Sequence, residues 1–119
     1  MVNYQEQTHD EQMNLIFHSM ADPTRRKILE RLMNQNLTVT EIAKPHDISL
    51  PAISKHLKIL EEARLIGREK NGREYMIHII PQTLQTAAEY IEFYTKFWNK
   101  HIDNLEKFLK KGVDNNRRK

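Results

Sequence analysis

The stretch that decides the fold is residues 38–58, which read TVTEIAKPHDISLPAISKHLK. A short helix with Thr40 as its N-cap is predicted to end at Pro45, because proline cannot continue a helix. A tight turn follows, and Ser49 then caps a second helix over residues 50–63. Two helices joined by so short a turn predict a helix-turn-helix.

The second helix of this pair has an apolar side and a polar side. Apolar residues at i, i+4 and i+7 form a single stripe for burial: Ile53, Leu57 and Leu60. The other side is small, polar and basic, and the first turn of the helix offers free backbone N–H groups to a phosphate. The residues of this helix predicted to contact DNA are Ser49, Leu50, Pro51, Ala52, Ser54, Lys55, His56 and Lys58.

The chemistry of these side chains suggests different roles in a groove of DNA. Lys55 and Lys58 are long donors for phosphates or guanine edges, and the methyl group of Ala52 suits a thymine methyl. Ser54 and His56 lie at the borders of the buried stripe, where they can reach backbone phosphates. Two alternatives stay open: the lysines form a solvated helix face, or His56 is a half-buried structural histidine.

After the second helix the spacing of apolar residues changes to that of strands. Residues 65–69 and 73–79 are predicted strands, and Asn71-Gly72 between them is a strong hairpin signal if both turn positions take positive φ. Such a hairpin after a helix-turn-helix forms a wing. The wing residues predicted to hold the DNA backbone or minor groove, with solubility as the alternative role, are Arg68, Lys70 and Arg73.

Two further helices are predicted before the helix-turn-helix. The first covers residues 10–20; Asp22 caps the second, which begins at Pro23 and runs to about residue 35, with a turn over 34–37. Apolar residues recur along these helices at helical spacing: Met13, Ile16, Phe17, Met20, Ile28, Leu29, Leu32 and Met33.

The last predicted helix, residues 82–111, is too long for a chain of this size to cover. Thirty helical residues span about 45 Å, whereas a globule of this size is roughly 27 Å across. Its apolar residues form a near-heptad stripe, widened by Phe93, Phe97 and Phe108: Leu84, Ala88, Ile91, Tyr94, Trp98, Ile102, Leu105 and Leu109. The simplest cover is a second copy, so we predict a homodimer.

Two other interpretations of this helix are weaker. Its aromatic residues could line a small-molecule pocket, although at helical spacing such residues more often pack in an interface. His101, Asp103 and Glu106 superficially suggest a metal site. His101 and Asp103 are two residues apart and do not share a helix face, so a solvated rim of the dimer helix is the better interpretation.

Composition limits the class of protein. The chain has 119 residues, 29% of them charged, and no cysteine, which excludes disulfides and thiolate metal sites. Residues 1–22 carry four acids and no Lys or Arg, whereas residues 23–80 carry 11 basic and 7 acidic residues. We expect no membrane span and no secretory signal, and hence a cytoplasmic protein.

We predict a single, mainly α domain with a small β-hairpin. It would comprise a DNA-binding core (10–81, wing 65–80), a dimerisation helix (82–111) and a basic tail (112–119). We expect no enzyme and no cofactor, because no nucleophile with an adjacent base, Gly-rich phosphate loop or metal-ligand cluster is present. The alternative function is a protein-interaction module that kept the fold, which Leu50 and the acidic N-terminus favour.

Four segments together resemble one known family. They are ADPTRR (21–26), LTVTEIA (37–43), SLPAISKHL (49–57) and LEEARLI (60–66). This combination resembles the ArsR-type family of bacterial winged-helix transcriptional repressors, over about residues 13–110. The resemblance implies a homodimer that binds operator DNA near promoters, with residues 49–58 reading the major groove. It also implies that the first and last helices form the dimer interface, for which we predict Phe17, Ile91, Tyr94, Trp98, Ile102, Leu105 and Leu109.

The chain departs from the metal-sensing members of this family. One sensor site uses a Cys-x-Cys pair where this chain has residues 37–41, without cysteine. A second site, in the last helix, would place its other ligands at Ala88, Tyr90 and Asn104 if His101 served as the later histidine. Three of the four positions lack the ligand that this site uses, so no metal is predicted. An effector, if one exists, would be a small apolar molecule or a protein.

A further departure lies at the start of the recognition helix. A polar residue commonly precedes the proline in this family, whereas Leu50 precedes Pro51 here. The substitution favours an apolar contact in the groove, such as one with a thymine methyl.

Overall fold

The computed structural model describes residues 8–117 and has the predicted, mainly helical architecture with a small sheet. The described residues up to Leu84 form one compact unit and those from Gln85 a second. The acidic N-terminus falls partly outside the described residues. The elements are α1 His9–Met20, α2 Pro23–Asn34, β1 Leu37–Thr38, α3 Val39–Ala43, α4 Leu50–Glu62, β2 Ile66–Asn71, β3 Glu74–Ile79 and α5 Pro81–Arg117.

The core of the first unit is built from the apolar faces predicted for its helices. The buried stripe of α4 is confirmed, and α1, α2 and the sheet supply the other side. Met33 was expected at a helical apolar position but is 59% exposed in the last turn of α2. The buried apolar residues of this core include Met13, Ile16, Ile28, Leu29, Leu32, Ile53, Leu57, Leu60, Leu65 and Ile77.

The sheet has three strands, one more than predicted. The β2–β3 hairpin pairs from Ile66 opposite Ile79 to Asn71 opposite Glu74. The additional strand, β1, pairs antiparallel with β3, with Leu37 opposite Ile77. This short strand begins where a turn was predicted to end. The sequence did not predict it because its partner strand is far away in sequence.

Side-chain caps fix where the helices of the first unit begin. The Asp22 carboxylate accepts from the backbone N–H of Arg25, and Pro23 is the first residue of α2, as predicted. Ser49 caps α4 by accepting from the N–H of Ala52, also as predicted.

The predicted N-cap of α3 was wrong. Thr38, not Thr40, caps this helix: its hydroxyl accepts from the N–H of Glu41, and the Glu41 carboxylate accepts from the N–H of Thr38. This reciprocal pair is a capping box, which needs Thr and Glu three residues apart. Thr40 has Ala43 at that distance, so it cannot form one.

The end of α4 redirects the chain into the wing. Arg64 takes a left-handed backbone conformation (φ 61°), a position that usually favours glycine. The N–H of Leu65 donates to the carbonyl of Leu60 at 3.0 Å, and that of Arg64 to Glu61 at 2.9 Å, which is a Schellman motif. The Thr83 hydroxyl donates to the Arg64 carbonyl at 2.5 Å and so holds the start of α5 to this turn.

The wing turn differs from the predicted one. Asn71 is the last residue of β2, so the two central turn residues are Gly72 and Arg73 rather than Asn71 and Gly72. Gly72 has a φ of 68°, and positive φ at the first central position alone is the pattern of a type II′ turn.

The last helix is longer than predicted. α5 covers 37 residues, about 55 Å, and continues to Arg117 instead of ending near residue 111. The predicted basic tail over 112–119 is therefore helical as far as Arg117, and its last two residues lie outside the described part. No stop signal interrupts this stretch, because Gly112 alone is a weak helix breaker. Across the described residues, no helix is long and apolar enough to span a membrane.

Candidate nucleic-acid interface

The polar side of α4 is exposed along its first three turns. Ser49, Pro51, Ser54, Lys55 and Lys58 are exposed, and Ala52 between them is half-buried. A shallow depression on this surface is lined by Pro51, Ala52, Ser54, Lys55 and Lys58. Half-buried Ala52 therefore lines a depression together with two exposed lysines.

An apolar edge lies at the N-terminal end of this surface. Leu50, the first residue of α4, is 53% exposed, and Ile48 just before it is also exposed. Exposed leucine and isoleucine beside lysines give the surface both an apolar and a cationic character, which suits thymine methyls next to phosphates.

His56 lies at the border of the α4 surface and is tied to α2. Its side chain is 22% exposed, and its Nδ1 lies 3.2 Å from Nη1 of Arg25. Nδ1 also lies 3.8 Å from Oδ2 of Asp22, which is too long for a hydrogen bond. His56 thus has the half-buried environment of a structural histidine while it keeps some contact with solvent.

Arg25 is buried and holds the C-terminus of α1. Its Nε donates to the carbonyl of Ser19 at 2.6 Å, and its Nη2 to that of His18 at 3.0 Å. Both carbonyls belong to the last turn of α1, where a cation also interacts favourably with the helix dipole. The Arg25 backbone N–H, together with the Arg25 charge, holds the pKa of Asp22 below its usual value.

Two more arginines of α2 have similar structural roles. Nη1 of Arg26 donates to the carbonyl of Met20 at 2.9 Å. Arg31 donates to the carbonyls of Ile42 and Glu41, both at 2.9 Å, and so fastens α3 to α2. Sequence reasoning counted these arginines as general positive charge and missed their roles, because the carbonyls they bind are set by the tertiary fold.

The three basic residues of the wing differ in their contacts. Arg68 is held against α4 by an ion pair with Glu61, with Nε 2.7 Å from Oε2, and its guanidinium lies 5.8 Å from the ring centroid of Tyr75. Lys70 and Arg73 are exposed around the turn. The tip of the wing therefore presents two exposed cations, flanked by exposed Glu69 and Glu74, whereas Arg68 also links the wing to α4.

The turn between α3 and α4 contains a buried histidine nitrogen. Nε2 of His46 is enclosed and, within residues 8–117, has no hydrogen-bond partner. Burial, helped by the positive charges of Arg31 and Lys27, lowers the pKa of His46. Sequence analysis did not single out this residue, since burial in a turn has no local signature.

The second unit exposes a continuous apolar helix face. Between residues 91 and 113 of α5 the large apolar side chains are 46–72% exposed: Ile91, Phe93, Tyr94, Phe97, Trp98, Ile102, Leu105, Phe108, Leu109 and Val113. Soluble proteins rarely leave so large an apolar surface uncovered. Phe17 of α1, the predicted interface residue of the first unit, is also exposed.

The polar residues of α5 interact within the helix. The His101 ring stacks on Phe97 with centroids 5.1 Å apart, and Glu106 pairs with Lys110 at 3.7 Å. Among the described residues there is no group of three or more His, Asp or Glu side chains that could hold a metal ion.

Fold and site together define a winged helix-turn-helix protein. The chain matches the family model described as "Bacterial regulatory protein, arsR family" over residues 22–67. It is 37% identical over 93 residues to the transcriptional repressor SdpR of Bacillus subtilis, a match that covers 78% of this chain and all of that protein. It is 31% identical to the HTH-type transcriptional regulator Rv2034 of Mycobacterium tuberculosis, over 78% of this chain and 84% of the relative.

Solved structures agree with these sequence matches. The crystal structure of the ArsR family transcriptional regulator RHA00566 superposes with a TM-score of 0.71 and 35% identity, over 83% of this chain and 97% of the other. An ArsR-like regulator from Rhodococcus sp. RHA1 gives a TM-score of 0.70 at 25% identity, over 82% and 92% of the two chains. The chain therefore belongs to the arsR family of bacterial regulatory proteins. It is a DNA-binding transcriptional regulator and not an enzyme, as the sequence predicted.

Proposed function

We propose that this chain is a homodimeric, sequence-specific repressor that binds an inverted-repeat operator in duplex DNA. The observation that carries the proposal is the α4 surface, where exposed Lys55 and Lys58 border a half-buried Ala52. A helix enters the major groove with small residues against the base edges and long cations on the phosphates.

In this proposal α4 reads the major groove from its N-terminal end. The first turn presents backbone N–H groups and the positive end of the helix dipole to a phosphate. Leu50 and Ala52 contact thymine methyls, while Lys55 and Lys58 bind phosphates or guanine edges. The proposed contacts of α4 are Ser49, Leu50, Pro51, Ala52, Ser54, Lys55, His56 and Lys58.

The wing adds contacts that position the protein without reading sequence. Lys70 and Arg73 at the exposed tip would bind the flanking backbone or enter the minor groove. Arg68 would reach DNA from the base of the wing, in competition with its ion pair to Glu61.

The exposed face of α5 supports dimerisation. Its apolar residues recur at near-heptad spacing, which suits pairing with the same helix of a second copy. The proposed interface comprises Phe17, Ile91, Tyr94, Trp98, Ile102, Leu105 and Leu109. A dimer would present two α4 helices to successive major grooves about 34–36 Å apart.

The cellular setting follows from the proposed target. A repressor of bacterial promoters acts where the chromosome lies, so we propose a cytoplasmic location. An effector, if one acts on the dimer, would be a small apolar molecule or a protein.

Replacing Lys55 tests the DNA interface. We expect Lys55→Ala to bind a duplex enriched by the wild-type chain from a randomised library several-fold more weakly. The salt dependence should also become shallower by about two phosphate contacts per dimer, one from each subunit, because fewer counterions are released on binding. Fluorescence anisotropy across a salt series measures both quantities.

The matched control is Lys96→Ala on α5, where Lys96 pairs with Glu92. This variant should keep the wild-type affinity and salt slope. Equal values for Lys55→Ala and wild type would contradict the placement of α4 on DNA.

A further inference from the structure

The α4 surface is connected to the interior of the first unit by one side-chain hydrogen bond. Nη1 of Arg25 lies 3.2 Å from Nδ1 of His56. Arg25 belongs to α2, and His56 lies one helical turn after Ala52, at the edge of the surface proposed to face DNA. The bond therefore joins a residue at this surface to a residue of the core.

Arg25 is fixed independently of His56. The Arg25 residue is 7% exposed, and its other guanidinium nitrogens donate to two carbonyls of α1, at 2.6 Å and 3.0 Å. Its backbone N–H is also bound, by the Asp22 carboxylate. The guanidinium orientation is thus set by α1 and α2, and the imidazole of His56 adapts to it.

The Arg25 contact at 3.2 Å, closer than the 3.8 Å to Oδ2 of Asp22, favours one tautomer of His56. A guanidinium has five N–H donors and no acceptor, so the contact forms only if Nδ1 offers its lone pair. A neutral imidazole that accepts at Nδ1 carries its proton on Nε2. The Nε2–H group has no hydrogen-bond partner among the described residues, and the side chain keeps contact with solvent.

We propose that Arg25 is a positioning residue for DNA binding: it fixes the tautomer of His56 so that Nε2–H donates to a backbone phosphate. This inference rests on the proposed DNA-binding function of α4. Without Arg25, the imidazole could carry its proton on either nitrogen and turn about its side-chain torsions. A fixed donor loses less conformational entropy when it binds a phosphate.

Nitrogen chemical shifts test the tautomer directly. In full-length protein labelled with ¹⁵N-histidine, in mildly alkaline buffer, His56 should show an unprotonated Nδ1 and a protonated Nε2. The His56 signals are assigned by their absence in His56→Asn. In Arg25→Gln, whose amide can both donate and accept, the two signals should move toward each other, as expected for a mixture of tautomers. Protonated Nδ1 in the wild type would overturn the proposal.

Two substitutions of His56 separate its two nitrogens. Glutamine places an amide N–H near the position of Nε2, whereas asparagine places its amide near Nδ1. On a fluorescein-labelled duplex enriched from a randomised library, His56→Asn should bind at least about tenfold more weakly than His56→Gln, because each of the two subunits loses a charge-assisted hydrogen bond. Equal affinities of the two variants would overturn the phosphate contact.

A double-mutant cycle tests whether Arg25 acts through His56. Arg25→Gln should weaken DNA binding about fivefold in the wild-type background. It should have less than about a twofold effect when His56 is already glutamine, because an amide has no tautomer to fix. Thermal unfolding of each variant separates loss of stability from loss of binding.

The outcomes distinguish this inference from the proposed function. Equal effects of Arg25→Gln in both backgrounds would make Arg25 a purely structural residue and overturn the inference, while DNA binding by the wild type would leave the proposed function standing. Absence of DNA binding by the wild-type chain in the same assay would overturn both.

Discussion

At the scale of single residues, the three arginines of α2 all bind backbone carbonyls at helix ends. Arg25 and Arg26 bind carbonyls at the end of α1, and Arg31 binds those at the end of α3. The excess of basic residues in 23–80 is thus partly structural. The exposed cations that remain for a polyanion include Lys55 and Lys58 on α4 and the two residues at the wing tip.

The pH dependence of stability is predicted from His46. Its pKa is lowered by burial in the folded chain, from the ordinary value of 6.5, so the unfolded chain binds a proton more readily. The folded state keeps its full stability above pH 6.5 and loses stability as the pH falls below that value. Urea unfolding at several pH values between about 7.5 and 5.5 measures the loss.

The variant His46→Leu removes the enclosed Nε2 and the titration together. We expect its unfolding free energy to fall less than that of the wild type over the same pH range. An identical decline in both proteins would assign the pH dependence to other groups.

At the scale of elements, the sequence predicted those helices whose ends carry local signals. Asp22 before Pro23 and Ser49 before Leu50 are such signals, and both caps are present. β1 had no such signal, because two residues form a strand only by pairing with β3, and Leu37 meets Ile77 across 40 positions of sequence. For the same reason the link between Arg25 and His56 was invisible in the sequence.

Two threonines near α3 provide a matched pair for the capping box. Thr38→Ala should lower the free energy of unfolding by about 1 kcal/mol, since the N–H groups of α3 lose their acceptor. Thr40→Ala, with no side-chain capping bond in α3, should change it by less than about 0.5 kcal/mol. Chemical denaturation of both variants makes the comparison, and a larger loss for Thr40→Ala would contradict the assigned cap.

At the scale of the whole molecule, the chain consists of a winged helix-turn-helix unit and a long helix that exposes its apolar face. The sequence predicted this face from its near-heptad spacing, although it placed the end of α5 too early. The partner that covers this face cannot be predicted from the local sequence pattern, because it depends on how chains associate.

Trp98→Ala tests the proposed dimer. We expect the wild-type chain to sediment at about 28 kDa, twice its 14.2 kDa mass. Loss of Trp98 should weaken association by at least about 2 kcal/mol, roughly thirtyfold in the dissociation constant, because large aromatic residues dominate interfaces. Lys100→Ala, on the other side of α5, is the control. A folded, monomeric wild type would contradict the dimer.

The most direct test of the central claim, that two copies of α4 occupy successive major grooves, is a hydroxyl-radical footprint on a duplex enriched from a randomised library. We predict two protected backbone regions related by the symmetry of an inverted repeat, with centres about 10–10.5 base pairs apart, and two chains bound per duplex. A single protected region with one chain bound, or protection that is uniform and independent of sequence, would contradict the claim.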